Sequence, residues 1–186
     1  MGDFPPPIRT FLIRALVLFV VWKSCYLFFW MENRTLDKPL TQMVGDQSAA
    51  VLNLMQPIDS FTATPKVAVI RMEGEYQLSK VSTINRNGKP IMHIADNCNG
   101  LELFVLYLGF ILAMPAPLNR KIVFSLLGIL LIHVVNILRC VGLTSLLLHW
   151  DRYFDFAHHY IFKVVVYATI FAMWIWFAKP LNFKSS

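Results

Sequence analysis

Apolar and polar positions divide this chain into four long hydrophobic runs and one polar insert. The runs are Phe11–Met31, Leu101–Leu118, Ile122–Leu148 and Tyr160–Phe177. Each is close to the roughly 20 residues a helix needs to cross a bilayer. The pattern predicts an all-α membrane protein, a four-transmembrane-helix bundle forming a single membrane domain over residues 1–186. The turn Asn119-Arg120-Lys121 and the mixed segment His149–Ala157 are too short for further domains. Residues 32–97 have a different character. Pro39–Gln56 reads as a helix, with Pro39 suited to its first turn. Val67–Met72 reads as a strand, and Tyr76–Asn85 and Pro90–Ala95 flank Asn87-Gly88, a type I′ hairpin signal. The insert is therefore expected to be a small α+β cap between the first and second spans.

Composition supports the membrane reading: the chain is 56% hydrophobic and only 15% charged. Its net charge of +6 does not point to nucleic acid, because several cations flank apolar runs as bilayer anchors do. Arg9, Arg14, Arg120, Lys121, Lys179 and Lys184 share one side in a four-span arrangement. The positive-inside rule puts that side in the cytoplasm and the cap outside. The protein is thus expected in the plasma (inner) membrane, multi-pass, with the lipid bilayer as its surroundings. Glu32-Asn33-Arg34 follows the first run in place of a small-residue cleavage site, so an uncleaved span is expected. Pro6 stands where a myristoylation signal needs Ser or Thr. Trp150 and Tyr153 suit an interfacial belt, and Trp174 and Trp176 suit lipid or interface contacts.

The reactive residues are few. Cys25, Cys98 and Cys140 form no disulfide framework, and C-x-x-C and H-E-x-x-H are both missing. Cys25 and Cys140 lie inside apolar runs as small hydrophobes. Cys98 stands in Asp96-Asn97-Cys98-Asn99-Gly100, just before a helix, whose N-terminus favours the anionic nucleophilic thiolate. It is either a nucleophile or an idle thiol at a helix start. Arg139 is the only Lys, Arg, Asp or Glu in the third run. It lies 17 residues beyond Ile122, roughly 26 Å along a helix and so near the outer boundary. An arginine there costs insertion energy. It serves either chemistry or structure, as a snorkelling anchor or a clamp between helices. Asn136 and His133 precede it at steps of three, on adjoining parts of the helix. His158 and His159 open the last run, with Asp155 near enough to orient an imidazole; His149 and His93 are further outer-face histidines. His133, nearer mid-membrane, reads as a packing residue.

Together Cys98-Asn99-Gly100-Leu101, Asn136-Ile137-Leu138-Arg139 and Phe156-Ala157-His158 resemble the exosortase/archaeosortase family. Order, spacing and placement fit over residues 92–178, and the short chain is similar to the compact Bacteroidetes-type members. The resemblance implies a membrane cysteine transpeptidase. Such an enzyme cleaves a C-terminal sorting tail from secreted, membrane-tethered proteins. The tail carries a short motif, a transmembrane helix and a basic end. The acceptor nucleophile stays open. Cys98 matches the family's nucleophile, Arg139 its arginine and His158 its histidine, with His159 as the alternative. Asn136 and Asn99 are expected to position substrate, and no metal or organic cofactor is called for. The cap lies outside the matching region.

Two other readings remain on sequence grounds. One is a non-enzymatic membrane assembly protein with Arg139 as a structural clamp. The other is a cysteine hydrolase that releases its product to water. A transporter would want paired charges near the midplane or broken helices, and neither pattern is present.

Overall fold

The structure, a computed structural model, describes residues 6–30, 34–72 and 75–179. Met1-Gly2, the Glu32-Asn33 pair and Lys184 lie outside the described residues. Helix α1 runs Pro6–Cys25 and continues in a π-helical turn, Tyr26–Trp30. Its Leu16, Phe19 and Val20 are exposed, as lipid-facing residues are, and so are Arg14 and Lys23. Helix α2, Asp37–Met55, is followed by strands β1 (Phe61–Met72), β2 (Glu75–Arg86) and β3 (Lys89–Ile94). A 3₁₀ turn, Asp96–Cys98, leads into α3, Leu101–Ala113. Helix α4 spans Leu118–His149. A 3₁₀ turn Asp151–Tyr153, α5 (Phe154–Phe156), a π-helical turn Ala157–Ile161 and α6 (Phe162–Ala178) complete the order.

Among the described residues, three helical stretches are long and apolar enough to cross a membrane: Arg9–Phe29, Leu118–His149 and Asp151–Ala178. The second expected span is shorter than its apolar run. Its helix stops at Ala113, because Pro115 and Pro117 lack the N–H a helix needs and disfavour helical geometry before them. Leu118 belongs to α4 instead. At 13 residues, α3 is about 20 Å long, less than the roughly 30 Å hydrocarbon core. Helix α4, at 32 residues, is about 48 Å long and exceeds it.

The insert folds as a helix and a three-stranded antiparallel sheet in the order β1-β2-β3. Asn87 and Gly88 have φ of 51° and 79°, the two positive angles a type I′ turn requires. Strand β1 begins at Phe61, well before the expected start at Val67. Pro65 hides this in the sequence, but β1 is an edge strand, where a missing N–H is tolerated.

The chain forms two compact units. One comprises residues 1–34, 102–132 and 167–186; the other comprises 35–101 and 133–166. In the first, Phe110 stacks on Trp174 with centroids 4.3 Å apart and meets Phe11 edge-on. Trp174 is thus a packing residue rather than a lipid contact. Phe124 meets Trp176 and Phe177 edge-on. The Tyr107 hydroxyl donates to the Phe124 carbonyl at 2.8 Å, and its ring covers Gly128, where a side chain would collide with it. Arg120 lies over Phe124 and Phe177 and donates to the Phe177 carbonyl at 2.8 Å, near the end of α6. In the second unit, Val44 and Leu52 of α2, Ile84 and Ile94 of the sheet, and Cys140 and Leu143 of α4 share one core. Gly45 lets α2 approach Ser82 of β2 closely.

Candidate active site

The second unit holds every residue singled out for chemistry: Cys98, Asn99, Asn136, Arg139, His158 and His159. Cys98 ends the 3₁₀ turn, whose hydrogen bonds are Cys98 N to Ala95 O at 2.9 Å and Asn99 N to Asp96 O at 3.1 Å. Gly100 then takes a φ of 92°, a left-handed geometry that suits glycine. A Cβ there would also lie 3.3 Å from the Asn136 amide nitrogen. The tight Cys-Asn-Gly sequence therefore turns the chain sharply and presents the thiol, which is partly exposed.

Helix α4 meets this turn with two side chains one helical turn apart. Arg139 donates from Nη2 to the Cys98 sulfur at 3.5 Å. Asn136, fully buried, donates from Nδ2 to the Cys98 carbonyl at 3.1 Å. The side chain and the backbone of Cys98 are thus both addressed from one helix. Asn136, expected to position substrate, donates to the backbone of Cys98 itself.

Asn99 is turned inward. Its Oδ1 accepts from the Leu101 N–H at 2.8 Å, and its Nδ2 donates to Asp37 Oδ1 at 2.9 Å and to Thr41 Oγ1 at 3.2 Å. Thr41 in turn donates to Asp96 Oδ1 at 2.7 Å. Asn99 is 1% exposed, which places its amide behind the thiol rather than at a substrate-facing surface. Asp37, Thr41 and Asp96 carried no signal in the sequence reading. The available one was spacing: Asp37 and Thr41 are one helical turn apart, on one face of α2.

The histidines separate. His158 is half-buried, stacks on Phe154 at 5.7 Å, and lies within electrostatic reach of Arg139. Its ring makes no hydrogen bond to the Cys98 sulfur among the described residues. His159 is exposed, and its Nδ1 pairs with the Asp155 backbone carbonyl at 2.9 Å; the backbone, not the Asp155 carboxylate, orients this ring. His149 pairs with the Ser145 carbonyl of its own helix, and His93 with Thr83 across the sheet. His133 shares a 2.6 Å hydrogen bond with Gln47 of α2. Among the described residues, no three His, Cys, Asp or Glu side chains gather to share a metal ion.

Membrane-crossing helices and a cysteine held by an arginine and an asparagine from a facing helix define an integral membrane protein with a polar centre at that cysteine. Its family follows from comparison with known families. Residues 8–176 match the transmembrane exosortase family (Exosortase_EpsH), nearly the whole chain, and the protein belongs to that family. No curated protein and no solved structure matches the chain.

Proposed function

We propose that this exosortase is a membrane cysteine transpeptidase that removes C-terminal sorting tails and passes the trimmed protein to an acceptor. The observation that carries this reading is the contact between Arg139 and the Cys98 sulfur, 3.5 Å, at the end of a polar 3₁₀ turn. The guanidinium donates to the sulfur that would attack. The guanidinium has further N–H groups to offer a developing oxyanion.

The reaction runs in two halves. The Cys98 sulfur attacks the scissile carbonyl carbon, and the oxygen gathers charge facing Arg139. The C–N bond then breaks, His158 delivers the thiol's proton to the leaving amine, and the substrate is left as a thioester on Cys98. An acceptor nucleophile attacks that thioester, gives its proton to His158, and frees the sulfur. His158 takes this role over His159 because it is half-buried, stacked on Phe154, whereas His159 is exposed and its Nδ1 pairs with the Asp155 backbone carbonyl. Helix α4 is longer than the hydrocarbon core is thick, which suits a site at the membrane boundary. The basic residues at Arg120, Lys121 and Lys179 support an outward-facing site in the plasma membrane.

The test is co-expression with a protein bearing a C-terminal motif, hydrophobic helix and basic end, read by intact mass. Wild type is expected to remove the tail, and Cys98→Ala to leave it in place. The mass added at the new terminus names the acceptor, and addition of water alone identifies a hydrolase. Equal processing by both forms overturns the cysteine mechanism. Processing by neither, with several such tails, favours the assembly-protein reading.

A further inference from the structure

We infer that helix α2 belongs to the catalytic apparatus, and that its Asp37 and Thr41 are positioning residues that hold Cys98 against Arg139. This rests on reading Cys98 as the nucleophile. The insert that carries α2 lies outside the three motifs that carried the resemblance in the sequence but inside residues 8–176 that match the family, and no role followed from its sequence.

The polar side chains between α2 and the Cys98 turn are hydrogen-bonded to one another. Thr41 and Asn99 are each 1% exposed and Asp37 is 3% exposed. Buried polar groups cost free energy unless they are paired, and a carboxylate costs the most. Here the pairing is directed at a single point. Thr41 accepts from Asn99 and donates to Asp96, using both capacities of its hydroxyl. Asn99 spends its oxygen on the Leu101 N–H and its nitrogen on Asp37 and Thr41, which fixes which way the amide faces. Asp96 and Asn99 stand on either side of Cys98 in the chain. The same α2 face therefore grips the turn before and after the thiol. From α4, Asn136 holds the Cys98 carbonyl between those two grips. The backbone of Cys98 is fixed on three sides, leaving the sulfur little freedom beyond its own side-chain rotation. A 3.5 Å contact to a long arginine survives only on such a frame.

A core-filling role alone makes a different forecast. It asks only that α2 stay packed on the sheet and α4, and the apolar residues Val44, Ala49 and Leu52 already do that. The experiment needs no substrate. Full-length protein is treated with iodoacetamide at fixed pH, and labelling is read peptide by peptide at Cys98 and Cys140. Cys140, 2% exposed in the same unit, reports whether that unit is still folded. Thr41→Val and Asp37→Ala are expected to slow Cys98 labelling about fivefold or more, as the sulfur loses its contact with Arg139, while Cys140 stays protected. Asp37→Asn, which keeps an acceptor for Asn99, is expected to label like wild type. Arg139→Met should slow labelling as well, and Thr41→Val added to it should change little further, since both act through one contact.

Unchanged or faster Cys98 labelling in Thr41→Val with Cys140 protected overturns the inference, as do fully additive losses with Arg139→Met. If Asp37→Ala exposes Cys140, the nearly isosteric Thr41→Val decides. A labelling shift without any tail processing would keep the positioning role and sink the transpeptidase reading; the two fail separately.

Discussion

The two units of this protein are held together by different chemistry. In the unit built from residues 1–34, 102–132 and 167–186, aromatic faces do most of the work, and polar side chains return to backbone carbonyls. In the unit built from 35–101 and 133–166, side chains also bond to side chains, and one group of these bonds meets at the turn that carries Cys98. Aromatic packing is worth roughly 0.5–1.5 kcal/mol per pair beyond its buried area and is tolerant of small shifts. A buried polar network is intolerant, because each broken bond strands a partner. The first unit is suited to stability in an apolar surrounding. The second carries a buried polar network beside the turn that holds Cys98.

Substitutions can break that contrast. The largest effect is expected from Arg139→Ala, which removes the one charge at the Cys98 sulfur. Tail processing should fall about 10²–10³-fold, the range for losing an oxyanion donor, while the melting temperature in detergent stays near wild type. A matching loss of folded protein would reassign Arg139 to structure.

Next comes Gly128→Ala in the first unit. Its new methyl would run into the Tyr107 ring, so overpacking should cost about 1–3 kcal/mol. Thermal unfolding should report the loss, and per-molecule processing at low temperature should not change. A drop in rate without a drop in stability would show that the two units are not functionally separate.

The smallest effect concerns the sheet. The Arg86 guanidinium, 2.7 Å from Asp59, holds that carboxylate below its ordinary value near 3.8. A lowered folded-state value contributes stability in full above about pH 4, and the contribution fades as pH falls through the folded-state value. Asp59→Asn should therefore lower the melting temperature by about a degree or less at pH 7, as exposed pairs do, and should not lower it at pH 2. An equal shift at both pH values would assign the effect to the Asp59–Asn87 hydrogen bond instead.

Much of the architecture was legible in the chain itself. The apolar runs marked the long helices because lipid-facing residues must be hydrophobic for about 20 positions together. Asn87-Gly88 marked its hairpin because only a few residue types accept two positive φ angles. Cys98 and Arg139 were visible as a thiol before a helix and a lone charge in an apolar helix, two features that cost something to keep. Prolines obscured the rest. Pro115 and Pro117 cut α3 short of its apolar run, and Pro65 masked the start of β1.

What tertiary structure alone decided is the company the sulfur keeps. Asp37, Thr41 and Asp96 looked like ordinary polar residues of a helix and a turn. They gained meaning when folding brought α2 against a turn 55 to 62 positions away. Hydrophobic periodicity is a local signal, written within a few turns of helix. A hydrogen bond between distant side chains has no local signature, since either partner would be equally content in water. The sequence by itself determined the membrane helices, the hairpin and the reactive atoms; only the closed fold determined which buried groups hold them in place.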